Sequence, residues 1–178
     1  AEANYLYKTN IYNLPEGDIF LSADLGGGSM QISLFDRKKM IWNNSYKIGT
    51  VRYLEKCIDP NEFFELEKKI LEIKKEHPEI KIMGSGGNIN KLSKILGEKY
   101  VKTDNLQKIF KELKPLSIIG RMKKYTLRSD RADVIVPACE IYIRLMQILD
   151  KDCIFVPRIG LADGIIRELY EKKHPRLN

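Results

Sequence analysis

IFLSADLGGGSMQISLF, residues 19–35, holds an apolar run ending in an acid, then three glycines and a serine. A second run follows in which Met30, Ile32 and Leu34 alternate with Gln31, Ser33 and Phe35. A short apolar run bounded by turn residues marks a buried strand, and alternation at period two marks another strand. The segment therefore reads as strand, tight turn, strand. Glycines let a chain approach a ligand closely and present several backbone N–H groups at one point, an arrangement that suits phosphate oxygens. Gly26, Gly27, Gly28 and Ser29 are the candidate phosphate ligands. Asp24 at the strand end is placed to hold a magnesium ion directly or through water, because that ion takes hard oxygen ligands. The plainer alternative is a hairpin turn, although such turns usually need only one or two glycines.

Outward from this hairpin, Asp36 to Lys39 supply a polar turn and Met40 to Ile48 a third strand closed by Gly49, which makes an antiparallel meander. Asn61 is a plausible cap for a helix carrying Phe63, Leu66, Ile70 and Ile73, which His77-Pro78 stops. Ile80 to Met83 form a short strand, and a second glycine loop follows: Gly84, Ser85, Gly86, Gly87 and Asn88. It precedes a helix with Ile89, Leu92 and Leu96, so its N–H groups and the positive helix end make an anion site; the ordinary alternative is a capped turn with Asn88 or Ser85 as cap. Two short basic helices are expected over 104–113 and 117–125. A long buried helix is expected from about Asp130 or Arg131, with Pro137 in its first turns, where proline is tolerated. Cys153 to Val156 read as a strand, and Gly160 leads into a terminal helix with Ile165, Ile166 and Leu169. No linker, repeat or low-complexity stretch interrupts residues 1–178, so one domain is expected.

Composition sets the outer limits. The chain is 43% hydrophobic and 31% charged, the balance of an ordinary globular protein able to bury a core. No window approaches the roughly 18 apolar residues of a membrane span, and AEANYLYKTN at the start lacks a secretory profile, so a cytoplasmic location and no membrane partner are expected. Cys57, Cys139 and Cys153 are widely spaced with no CxxC pair, which points to reduced structural thiols. His77 and His174, each beside a proline, read as solvated helix ends. Between Lys91 and Arg131 twelve Lys or Arg stand against four acids, so this one segment accounts for the whole net charge of +7. A basic face of this kind suits a polyanion, or is simply solvated. Nucleic acid is the weaker partner, because no aromatic-rich strand or binding motif accompanies the lysines.

With both glycine loops in place, residues 19–35 resemble the second-domain phosphate loop of the exopolyphosphatase and guanosine pentaphosphate phosphohydrolase (Ppx/GppA) family, within the actin and sugar kinase superfamily. The likeness continues in KIGTVR at 47–52, KIMGSGGNINKL at 81–92, RADVIVPACEIY at 131–142 and IGLADGIIRELY at 159–170. It implies an α/β, ribonuclease H-like (actin-like ATPase) fold with a mixed sheet in the order βββαβαβα plus extra helices. It further implies a magnesium-dependent hydrolase that releases the terminal phosphate of inorganic polyphosphate or guanosine pentaphosphate. The chain would be the second domain, working with an N-terminal domain that it does not contain, and homodimerisation is an option because relatives tend to dimerise. Glu2, followed by Ala3 and lying 22 residues before Asp24, occupies the place of the family's essential glutamate, the general base that activates water. Three positions depart from the family pattern. Gln31 stands where an acid is usual, Asn88 where threonine is common, and Ala162-Asp163 where Arg-Glu is usual. The loss of the acid at Gln31 favours a second reading, a non-catalytic phosphate- or nucleotide-binding regulatory module of the same fold.

Overall fold

A computed structural model describes residues 18–36, 39–158 and 173. Its centre is a six-stranded mixed sheet in the spatial order β3-β2-β1-β4-β6-β5. Strands β1 (Ile19–Leu25), β2 (Met30–Asp36) and β3 (Lys39–Tyr46) form the expected antiparallel meander, with Asp24 directly opposite Gln31. Strand β4 (Lys81–Ser85) runs parallel to β1, pairing Ala23 with Gly84 and Asp24 with Ser85. β5 (Tyr100–Lys102) and β6 (Cys153–Phe155) complete the far edge.

Period-two alternation divides β1 between two sheet faces. Leu21, Ala23 and Leu25 enter the main core, while Phe20 joins Phe35 and Met83 in a smaller cluster on the other side. Asp24 shares its parity with Phe20 and Ser22, so the acid belongs to the second face. Helix α1 (Thr50–Leu54) follows the meander, and α2 (Pro60–Glu76) follows it in turn. After β4 come α3 (Gly87–Leu96), then α4 (Thr103–Leu113), α5 (Ile118–Tyr125), α6 (Ser129–Ala132) and α7 (Ile135–Leu149). The most apolar of these is α7. It buries Ile135, Ala138, Cys139, Ile141, Tyr142, Leu145, Met146 and Leu149, and it packs against α1, α2, α3, α4 and α6.

The structure corrects several local expectations. The third strand stops at Tyr46, and Gly49 opens α1 rather than closing the strand. The cap of α2 is Asp59, whose side chain accepts from the Asn61 amide, with Pro60 at the first helical position; Asn61 is already inside the helix. The long helix near Arg131 divides into α6 and α7, so that Pro137 falls in the first turn of α7, where its missing N–H costs nothing. Strand β5 has only three residues, too few for a periodic signal. The terminal helix expected after Gly160, and His174, lie outside the described residues.

Candidate active site

Both glycine loops leave the sheet at the same end of its strands, because β1 and β4 are parallel neighbours in its middle that end together. The crevice beyond the carboxyl ends of such strands is where open α/β sheets bind ligands. The buried Ser85 hydroxyl donates to Asp24 Oδ2 at 2.9 Å and so orients the carboxylate. Beneath them, the fully buried Tyr142 hydroxyl lies 3.0 Å from the Ser85 carbonyl oxygen and 3.3 Å from that of Ala23, tying the ends of both strands to α7. Burial pushes the Tyr142 hydroxyl pKa well up, and the nearby Asp24 charge pushes it the same way, so it remains a donor.

The first loop is fixed from one side. Gly26 N–H donates to Ser29 O at 2.9 Å and closes the turn. The loop carbonyls are taken by α1: Gly26 O accepts from Thr50 N, Gly27 O from Val51 N (both 3.0 Å), and Gly28 O from Arg52 Nε at 2.9 Å. Helix α1 has no side-chain cap, and the loop carbonyls satisfy its first amides instead. Gly49 permits this approach, since a Cβ there would lie 2.0 Å from Gly27 O. With the carbonyls committed, the amides of Gly27, Gly28 and Ser29 make no hydrogen bond among the described residues. Gly28 and Ser29 are exposed.

The five residues of the second loop have different positions. Gly84 and Ser85 are buried in β4, and a Cβ on Gly84 would come 2.9 Å from both Ile154 and Ile89, so this glycine serves packing. Gly86 turns the chain at φ +93° and precedes α3 without a side-chain cap; neither Asn88 nor Ser85 caps that helix. A Cβ on Gly86 would meet Asp24 Oδ1 at 2.6 Å, so glycine keeps open the space beside the carboxylate. Asn88 is buried in the first turn of α3, donating to Leu25 O at 3.5 Å and accepting from Arg131 Nη1 at 2.5 Å. Asn88 thus links the end of β1 to α6. Arg131, which the sequence marked as a helix start, as the end of the basic segment and as part of a family-like stretch but not as a site residue, stands over Gly87: a Cβ there would lie 2.6 Å from Arg131 Nη2. Neither this contact nor the α1 cap has a local signal in sequence. Glu2 and Ala162-Asp163 lie outside the described residues.

Among the described residues no group of three His, Cys, Asp or Glu gathers that could hold a metal ion. Magnesium makes a smaller demand, commonly one or two carboxylates with water and substrate phosphate completing the shell. The Asp24 carboxylate, oriented by Ser85 and given room by Gly86, fits that requirement.

The family model for the Ppx/GppA phosphatases matches residues 1–173. This chain belongs to the Ppx/GppA phosphatase family. Two crystal structures of the Ppx/GppA protein from Aquifex aeolicus are each 27% identical to it at TM-score 0.78. They cover 94% and 97% of this chain and 62% and 63% of their own. An exopolyphosphatase from Cytophaga hutchinsonii, 16% identical, shares the fold at TM-score 0.77 over 96% of this chain and 63% of its own. The chain thus spans somewhat under two thirds of the length of these relatives. No curated protein matches it. The mixed α/β architecture is the actin-like fold of the Ppx/GppA family. Among the described residues no helix is long and apolar enough to cross a membrane.

Proposed function

We propose that this Ppx/GppA chain is the phosphate-gripping part of a phosphoanhydride hydrolase that releases the terminal phosphate of inorganic polyphosphate or guanosine pentaphosphate. The observation that carries this reading is the meeting of two glycine loops at the ends of β1 and β4, around the Asp24–Ser85 pair. The amides of Gly27, Gly28 and Ser29 bind oxygens of the terminal phosphate and stabilise the charge that develops there, as preorganised donors do. Gly86, Gly87 and the first turn of α3 present further amides beside them. Magnesium, held by Asp24, would supply charge neutralisation of the phosphate oxygens. Glu2 is the general base that takes a proton from the attacking water, by its place in the family pattern. An N-terminal domain of the same protein faces these loops and completes the site, a reading supported by the greater length of the Aquifex aeolicus relatives.

One observation favours the second reading, a module that binds phosphate without turnover. Cross-strand pairing sets neutral Gln31 directly opposite Asp24, so the residue best placed to be a second carboxylate is not one. A single experiment separates the two. The complete natural polypeptide is assayed for phosphate release from polyphosphate and guanosine pentaphosphate, with and without magnesium. Magnesium-dependent release that Asp24→Asn lowers by about 100-fold or more, the scale of losing a main electrostatic contact, supports the hydrolase. Binding of either compound with no release supports the module and ends the hydrolase reading.

A further inference from the structure

Three successive carbonyls of the first loop point to one helix. Gly26 O, Gly27 O and Gly28 O are met in turn by Thr50, Val51 and Arg52, the first three residues of α1. No peptide bond among the described residues is cis, and the C=O and N–H of a planar trans peptide point in opposite directions. The N–H groups that share a peptide with these carbonyls are those of Gly27, Gly28 and Ser29. Holding the carbonyls towards α1 therefore turns the three amides together away from it, as a row of donors for an anion.

The three grips differ in kind. Gly26 O and Gly27 O accept backbone N–H groups, those of Thr50 and Val51, which remain whatever side chains stand there. Gly28 O has a single donor among the described residues, Arg52 Nε at 2.9 Å. A hydrogen bond from an ionised donor is about twice as strong as a neutral one. Bonds in series also polarise one another, so a cation on the carbonyl of the Gly28–Ser29 peptide makes its N–H a better donor. Arg52 is half-buried, and its Nη groups make no hydrogen bond or ion pair among the described residues, so no carboxylate there draws the guanidinium off the loop.

We infer that Arg52 is a positioning residue of the first loop: by gripping Gly28 O from behind, it aims the Ser29 amide at a bound phosphoryl group and strengthens it as a donor. Arg52 acts through this peptide and not by touching the phosphate, which lies on the opposite side. The inference rests on the reading of the glycine loops as the terminal-phosphate site. It makes one of the three donors depend on a side chain 24 residues further along the chain.

Three variants of the complete natural polypeptide test it. Glutamine carries an N–H as many bonds from Cα as arginine Nε but no charge, lysine keeps the charge without an N–H at that point, and methionine keeps neither. Affinity for tripolyphosphate, measured by titration calorimetry, should fall by about tenfold in Arg52→Met and in Arg52→Lys, the scale of one hydrogen bond's net contribution. Arg52→Gln should stay within about threefold of the parent, its neutral bond being weaker than the charge-assisted one. In the ligand-free proteins the nuclear magnetic resonance signal of the Ser29 amide should move in the methionine and lysine variants and stay near the parent position in the glutamine variant. Recovery by lysine and not by glutamine would mean that Arg52 acts through charge alone, and would overturn the positioning role. Parent-like affinity in Arg52→Met would overturn it too, as would equal losses in all three variants. The parent protein checks the underlying reading separately: if tripolyphosphate leaves the Gly27, Gly28 and Ser29 amide signals unmoved there, the loop is not the phosphate site, and the role of Arg52 falls with it.

Discussion

Asp24 and Ser85 meet across two parallel strands, 61 residues apart in sequence. Each was recognisable alone, the acid because it ends a strand before glycines and the serine because it stands in a glycine loop. Their hydrogen bond was not recognisable, because it depends on β1 and β4 being neighbours in register. The same holds for Tyr142: its position in an apolar helical pattern predicts burial, but nothing local predicts that its hydroxyl reaches two strand carbonyls. Gly84 shows the reverse case, a residue in a phosphate-type motif whose Cα is enclosed by Ile154 and Ile89. A partner that orients a metal-holding carboxylate commonly accounts for about 10- to 100-fold in metal affinity. Ser85→Ala should therefore weaken manganese binding, followed by electron paramagnetic resonance as a stand-in for magnesium, by about that factor. An unchanged affinity would remove Asp24 from the proposed metal role or Ser85 from its support.

Among the elements, the meander, α2, α3, α4 and α7 were legible because each is long enough to show a period or carries turn residues at its ends. Helix α1 was not, since it has five residues and no side-chain cap. What stabilises it is tertiary: carbonyls from a loop more than twenty residues earlier satisfy its first amides. That dependence locates the vulnerable point at Gly49. A methyl group there meets backbone rather than a movable side chain, so the loop and the helix must separate. Gly49→Ala should destabilise the fold by about 1–3 kcal/mol, the usual range for overpacking, or about 2–4 °C in Tm per kcal/mol for a chain of this size. Calorimetry of the variant reads this, and an unchanged Tm would show that the contact is not tight in solution.

At the level of the whole molecule, the large core gives stability a predictable pH dependence. Burial pushes the Cys139 thiol up to about 12. The unfolded thiol ionises from about pH 8.5. Between these values the folded chain keeps a proton that the unfolded chain releases, so stability must fall as pH rises, with a limiting slope of about 1.4 kcal/mol per pH unit. The raised Tyr142 adds to this in the same direction above its ordinary value near 10. Urea unfolding between pH 7 and 11 in a reducing buffer measures the slope, and Cys139→Ala should flatten its first part. A stability curve level to pH 11 would contradict the burial of that thiol. Composition alone indicated a substantial core; which thiol it would enclose depended on α7 lying against five other helices.

The capping of α1 by the glycine loop has a mechanical consequence. A loop whose carbonyls are already bound cannot fold down over a guest like a flap, and an arriving anion finds donors that need no rearrangement. This side of the crevice acts as a fixed anvil. Any narrowing around a bound molecule must come from parts that approach it, and amide exchange at Thr50 and Val51 would be equally slow with the crevice filled or empty.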